Sequence, residues 1–272
     1  MATKSVISVE YRGRVAVITI DNEKKLGALS QPQYYELATK MNEVAAHDEV
    51  YVTVLTGTGR FFSAGADVSI SRDGPEAPSD AHKFWLQTFV AFNLNIAHTF
   101  ATHPKVLVVG LNGPVVGLSA ALVGWADFVY CTPHAFLLTP FSSLGLVAEG
   151  GASSALASRL GPARASEALL MSRRISAHEL KQCGFVNEVF DFGEADDAGF
   201  RARVLDEVDE RLGAHLNGES LLGIKKLLRR PGLDVHNSQN VHEVFAGLDR
   251  FVRGIPQEEF RKLASGEKRH KL

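Results

Sequence analysis

Cysteine is almost missing from this chain: two occur among 272 residues, Cys131 and Cys183. So few exclude a disulfide framework, and neither stands in a C-x-x-C spacing that would nominate a metal site. Both are expected to be reduced and buried. An excess of charge is missing too, with 29 basic against 31 acidic residues, so no global field draws the chain onto nucleic acid. No apolar run reaches the roughly 20 residues of a membrane-crossing helix, because Lys105, Asn112, Pro114 and Asp127 interrupt the most hydrophobic stretch. A soluble protein without membrane insertion is expected. The N-terminal residues carry no signal-peptide-like apolar core, and Val6 to Tyr11 already alternates as a strand does. Low-complexity tracts, internal repeats and flexible linkers are also missing.

Several catalytic signatures are absent as well. Ten histidines occur, none in the H-E-x-x-H spacing of a zinc hydrolase. Ser63, Ser119 and Ser142 lie outside any G-x-S-x-G elbow. Gly57 and Gly59 lack the third glycine and the βαβ setting of a dinucleotide site.

What is present is an ordinary globular composition, 45% hydrophobic and 22% charged, in a chain long enough for one large core or a domain with an appended subdomain. Val6 to Glu10 and Val15 to Ile20 read as a hairpin turned at Gly13. Ser30 is placed to cap a helix running to about His47, with Tyr34, Leu37, Met41 and Val44 on one face. Val50 to Leu55 reads as a buried strand, and Ser71 to Ser79, with Gly74, Pro75 and Pro78, as a mobile loop. Asp80 to Thr102 reads as a long helix whose Phe84, Trp85, Phe89 and Phe92 either fill the core or line an acyl-chain tunnel. Val106 to Val109 is a strand, Val116 to Trp125 an apolar helix, and Phe128 to Cys131 and Ala135 to Leu138 are short strands. From Gly150 onward the pattern is helical apart from a short strand at Val186 to Phe190. Pro162, Pro231 and Pro256, with Gly161, Gly184, Gly218 and Gly232, are expected to separate the helices. The fold class is α/β, a repeated β–β–α core followed by a helical C-terminal region.

Two segments stand out: Phe62-Ser63-Ala64-Gly65-Ala66-Asp67 and Asn112-Gly113-Pro114-Val115-Val116-Gly117-Leu118-Ser119. Each is a small-residue turn between a strand-like and a helix-like run, able to leave backbone N–H groups without partners. Taken singly, each could serve only tight turning and close packing. Together they can aim two amides at one anionic oxygen, the oxyanion-hole device of acyl chemistry. The pair, with the length and composition of the chain, resembles the enoyl-CoA hydratase/isomerase or crotonase family over nearly the whole sequence.

That resemblance implies a crotonase-type spiral of ββα units over residues 1–195, holding the CoA and catalytic site. Residues 196–272 would form a helical region for oligomerisation, as a homotrimer or dimer of trimers, and for closure over substrate. The donors carried over are the amides of Ala66 and Leu118. CoA would enter as part of an acyl-CoA thioester, with no separate cofactor and no metal. It would lie near the main chain of Ala64, Gly65, Ala66, Asp67 and Val68. An earlier CoA-contacting turn would include Lys25 and Leu26, where an Asn is commoner in the family than Gly27. Lys24 or Lys25 would meet a phosphate or stay solvated, and the Lys225-Lys226 and Arg229-Arg230 cluster equally suits an exposed helix face. Asp67 suits a helix cap beginning near Val68 better than chemistry.

The family's hydratases split water with two carboxylates, whose places fall here on Ala121 and Phe141, neither an acid nor a base. Hydration is therefore disfavoured. The candidate that remains is Glu149, in Gly145-Leu146-Val147-Ala148-Glu149-Gly150-Gly151, which resembles the single glutamate of fungal peroxisomal Δ3,Δ2-enoyl-CoA isomerases. By residue type alone it could equally be an acidic residue favoured by a helix N-terminus. With the resemblance, it is the base that moves a proton from C2 to C4, in a pocket expected to include Phe141 and Leu144 and to raise its pKa. The alternatives are a dienoyl-CoA isomerase, a hydratase, or a non-catalytic acyl-CoA-binding subunit. The tail His270-Lys271-Leu272 is similar to the Ser-Lys-Leu address read by the peroxisomal import receptor, with a chance basic tail as the other reading. Fatty acyl chemistry makes the peroxisome matrix the expected location.

Overall fold

Three runs, VAVITI, VTVLTG and VLVVGL, each bury all six of their residues, which is the pattern of strands covered on both faces. They form the centre of the main sheet in the computed structural model, which describes residues 5–67 and 80–269. Strand β1 (Ile7–Arg12) pairs antiparallel with β2 (Val15–Ile20). Parallel pairing then adds β3 (Val52–Gly57), β4 (Val106–Leu111), β6 (Phe128–Cys131) and β9 (Glu188–Val189), in the order β1-β2-β3-β4-β6-β9. A smaller sheet runs β5-β7-β8, built from Val115–Val116, Phe136–Leu138 and Ile175–Ser176.

The chain alternates between the two layers. It leaves β4 for β5 and then helix α4 (Gly117–Val123), and leaves β6 for β7. The small layer continues past β5: Ser63 bridges Val115, and Ala66 bridges Leu29. Both small-residue turns thus become neighbouring rungs of one layer. This is the repeated β–β–α spiral expected from sequence.

Helix α1 (Gln31–Ala45) starts at a capping box in which Ser30 accepts from the Gln33 amide and Gln33 reaches back. It packs Tyr34, Leu37 and Met41 into the main core with Leu118, Leu122 and Trp125. Residues 81–102 are helical as α2 (Ala81–Trp85), a π turn (Leu86–Val90) and α3 (Ala91–Thr102). Later helices are α5 (Ala157–Leu160), entered through a π turn at Ala152–Leu156, then α6 (Pro162–Leu170), α7 (Ala177–Gln182), α8 (Asp197–Leu212), α9 (Gly218–Val252) and α10 (Ile255–Ala264). Phe200, Val204 and Val208 of α8 cover the other face of the main sheet, against Val17, Val54 and Val108. Val244, Leu248 and Phe251 of α9 pack on Trp85 and Phe89.

Two expectations need correction. The two-residue strands β5 and β8 were not expected, being too short for an alternating pattern to register, and Val116, expected to open the apolar helix, lies in β5. Pro231 and Gly232 do not separate helices but lie inside the 35-residue α9. A proline removes a single helical hydrogen bond, and tertiary packing at both ends of α9 overrides that loss. The mobile loop expected at residues 71–79, Val68, and the tail His270-Lys271-Leu272 fall outside the described residues. Among the described residues, no helix is long and apolar enough to cross a membrane.

Candidate active site

The two turns meet through backbone. Phe62 and Ser63 donate to the Pro114 carbonyl, and the Val116 amide donates to the Ser63 carbonyl at 2.9 Å. Contact is so close that a Cβ on Gly65, at φ +87°, would lie 2.8 Å from the Val116 carbonyl oxygen, which only glycine permits. The Leu29 amide donates to the Gly65 carbonyl and its carbonyl accepts from the Asp67 amide. By strand alternation this turns the Ala66 amide to the opposite edge. Leu118 lies in the first turn of α4, where amides have no intrahelical acceptor.

A chain of buried hydroxyls braces the turns from behind. Tyr34 and Ser119 are 2.8 Å apart, as are Ser119 and Ser63. Ser63 gives its only proton to the Gly27 carbonyl and accepts from the Gly65 amide. Ser119 must therefore donate to Ser63, and Tyr34 to Ser119. The Tyr34 hydroxyl is thereby committed as a donor inside the protein. Burial pushes its pKa up, and the Glu149 charge adds to that.

Glu149 reaches the same place from another element. The turn after it packs directly on α4, since a Cβ on Gly150 would fall 2.6 Å from Leu118 Cδ1 and 3.3 Å from the Ala121 methyl. Trp125 Nε1 donates to the Gly150 carbonyl at 2.9 Å. Asn93, fully buried on α3, donates from Nδ2 to Glu149 Oε2 at 3.1 Å. Ala66, Leu118 and Glu149 line one cavity of about 230 Å³. Its remaining wall is strongly aromatic, with Phe84, Trp85, Phe89, Phe92 and Phe251. An apolar hollow with a carboxylate, Ala66 and Leu118 on its wall has the lining of a small-molecule site.

The helical aromatics therefore serve both core and cavity. Phe141 and Leu144, however, do not wall the carboxylate among the described residues. Phe141 is packed into the main core and Leu144 ends the 3-10 turn Ser142–Leu144, while Leu146 and Phe251 take the expected place. Asp67 also lines the cavity and is paired with Lys25, Nζ to Oδ2 2.5 Å. Leu26 holds a left-handed conformation in the same turn and accepts from the Ala64 amide at 2.8 Å. Ala64, Gly65, Ala66, Asp67, Lys25 and Leu26 are thus one contiguous surface.

The basic cluster on α9 is not a uniformly exposed face. Lys225 is buried, 2.8 Å from Asp127 Oδ2, and Arg229 meets Asp127 Oδ1 at 2.8 Å. They line a second hollow of about 390 Å³ with Arg159 and His236. Lys226 and Arg230 remain exposed. Sequence reading missed Asn93, Phe251 and the Tyr34–Ser119–Ser63 brace. Asn93 had a signal, because Trp85, Phe89 and Asn93 recur every fourth residue and a polar group interrupts an apolar helical stripe.

The family pattern described as enoyl-CoA hydratase/isomerase matches residues 10–197 of this chain. A Delta(3,5)-Delta(2,4)-dienoyl-CoA isomerase of Pyricularia oryzae is 65% identical, covering 98% of this chain and 99% of its own. The 3,2-trans-enoyl-CoA isomerase of Saccharomyces cerevisiae is 36% identical over 98% of this chain and 96% of its own. A crystal structure of an enoyl-CoA hydratase/isomerase from Pseudoalteromonas atlantica T6c superimposes with a TM-score of 0.82 at 23% identity, covering 98% of this chain and 100% of that one. At that identity the likeness is one of fold.

Proposed function

This chain belongs to the enoyl-CoA hydratase/isomerase family, and we propose that it is a Δ3,Δ2-enoyl-CoA isomerase of unsaturated fatty acid β-oxidation. The observation that carries this reading is Glu149 on the cavity that also holds Ala66 and Leu118. The two amides bind the thioester oxygen, and removal of either is expected to cost about 2.7–4 kcal/mol of transition-state stabilisation. Glu149 takes a proton from C2, the charge spreads through the dienolate, and Glu149 returns the proton to C4. Bonds and electrons balance within the substrate, so the step needs no co-reactant. CoA lies along Ala64 to Asp67 and the Lys25-Leu26 turn, where the Lys25 ammonium stays paired with Asp67. Hydration is not supported, because Ala121 and Phe141 are buried apolar residues.

A second reading has specific support. The Pyricularia relative is named a dienoyl-CoA isomerase, and Asp67 puts a second carboxylate on the same cavity. A 3,5-to-2,4 shift carries the proton from C2 to C6, a path that two carboxylates can share. Asp67 is already committed to Lys25, which favours the single-carboxylate reaction. A peroxisomal matrix location and assembly as a homotrimer or dimer of trimers belong to the same proposal. Ile224, Leu227, Leu228 and Val235 of α9 are more than half exposed, an apolar face that suits contact between copies.

The test is product analysis with a 3-enoyl-CoA and a 3,5-dienoyl-CoA supplied separately. Conversion of the first to its trans-2-enoyl isomer supports the proposal. Conversion of the dienoyl substrate alone replaces it with the second reading, and acyl-CoA binding without conversion of either leaves a binding subunit.

A further inference from the structure

Immediately after Glu149 the chain turns at Gly150 and Gly151 into the helical segment that starts at Ala152. The first amides of such a segment have no helical acceptors. A side chain from far along the sequence supplies them. Glu243 of α9 is 5% exposed; its Oε2 accepts from the Gly151 amide at 2.8 Å, and its Oε1 accepts from the Ser153 amide at 2.7 Å and the Ser153 hydroxyl at 2.5 Å. With Trp125 on the Gly150 carbonyl and Asn93 on the Glu149 carboxylate, the Glu149 turn is held from three elements.

The burial of this carboxylate is unfavourable in itself, and desolvation pushes its pKa up despite its three donors. Capping a helix could be done by a neutral serine at smaller cost. What a long acidic side chain adds is reach from another element. Glu243, Gly247 and Phe251 lie one turn apart on a single face of α9. Gly247 abuts the Phe89 ring, which a Cβ there would meet at 2.6 Å, and Phe251 stacks on Trp85 at 4.6 Å between centroids. One stripe of α9 therefore touches both the base-bearing turn and the aromatic wall of the cavity.

We propose that Glu243 is a positioning residue that fixes the Glu149 carboxylate by clamping residues 151–153, so that the base is correctly placed only when α9 is seated. This rests on the isomerase reading of the site. The clamp acts on geometry and leaves CoA binding to other residues. Since misplacement by about 1 Å can cost about 10²-fold in rate, Glu243→Ala should lower kcat by about that factor with KM within about twofold. Glu243→Gln, which keeps one acceptor oxygen, should recover part of the rate.

The experiment compares wild type, Glu243→Ala, Glu243→Gln and each of these in a Glu149→Gln background, on whichever of the two CoA substrates the wild type converts. A positioning role predicts no further loss of residual rate in that background. Equal fractional losses in both backgrounds, or an unchanged kcat, overturn the proposal. Hydrogen–deuterium exchange of the Gly151 and Ser153 amides is read alongside and does not depend on activity. Acceleration in Glu243→Ala supports the clamp, and unchanged exchange rejects it. If Glu243→Ala does not fold, Glu243→Gln and Ser153→Ala carry the same comparisons with smaller expected effects. An inactive wild type whose exchange still responds would reject the isomerase reading and leave the clamp as a structural fact.

Discussion

Two hollows among the described residues differ in character, and the larger and more highly charged of the pair is the worse candidate for chemistry. Around 390 Å³ it gathers Asp127, Lys225, Arg229, Arg159 and His236, but its Asp, Lys and Arg groups are already engaged with one another or with backbone carbonyls. Asp127 takes both Lys225 and Arg229 and the Leu107 amide, while Arg159 is spread over the Phe185 and Ala126 carbonyls. Burial works against the Asp127 carboxylate, yet Lys225 and Arg229 outweigh it and hold its pKa below the ordinary range. The smaller hollow, about 230 Å³, gathers Glu149 with the Asn93 amide that donates to it, Asp67 with its Lys25 partner, aromatic rings, Ala66 and Leu118. Charges paired with one another hold a fold together, whereas a carboxylate on an aromatic-lined cavity is placed to accept and return a proton.

The sharpest way to break this comparison is to neutralise each carboxylate in turn. Glu149→Gln should lower turnover by about 10²–10⁴-fold, the usual worth of a positioned acid–base group, with its melting temperature nearly unchanged. Asp127→Asn should do the reverse. Stranding Lys225 and Arg229 beside a neutral amide should cost about 3–5 kcal/mol of stability, read by urea unfolding, with kcat per folded molecule unchanged. A stability loss at Glu149, or a turnover loss at Asp127, would mean that the roles of the two hollows have been exchanged.

The same contrast explains what could be seen in the sequence. The longer strands, the capped α1, the two small-residue turns and the Glu149 turn are encoded locally, by apolar pattern, a capping box, small-residue runs and a Gly-Gly pair. What the cavity sets around Glu149 comes from elsewhere in the chain. Asn93, marked locally only by a polar break in an apolar stripe, comes from α3 and Phe251 from α9, and packing brings both to the same cavity. Phe141 and Leu144 were expected at the carboxylate because they are near it in the chain, but neither lines its cavity, and Phe141 is spent on the main core. The buried side of the α9 basic cluster was hidden for the same reason, since Asp127 lies on another element. Pro231 shows the limit of a local rule when packing on both sides of it holds one helix together.

A finer test concerns the donors. Ser119→Ala removes the middle of the hydroxyl brace, leaving Tyr34 without its acceptor and loosening the tie between the two turns. An unsatisfied buried donor costs about 1–3 kcal/mol. If about half of that falls on the oxyanion hole, kcat should drop about two- to tenfold with KM little changed. Tyr34→Phe, which removes the outermost hydroxyl and leaves Ser119 to Ser63 intact, should have a smaller effect. An equal loss in both variants would show that the brace acts through Tyr34 rather than through the spacing of the turns.

The smallest effect, read over the first pH unit below about 6.5, belongs to the charged side. His103 is buried with Nε2 2.8 Å from the Thr53 hydroxyl. Burial, reinforced by Lys225 and Lys105 and opposed by Asp127, pushes its pKa down from 6.5 to about 3. Between those values the unfolded chain takes up a proton that the folded protein refuses. The contribution of His103 to stability is therefore complete above about pH 6.5 and is lost as pH falls, at about 1.4 kcal/mol per unit. His103→Gln should flatten the acid limb of the stability profile by that slope and leave the pH dependence of turnover where it was. A shift in the turnover profile instead would mean that the charged hollow reports to the aromatic one, and the separation between binding together and doing chemistry would no longer hold.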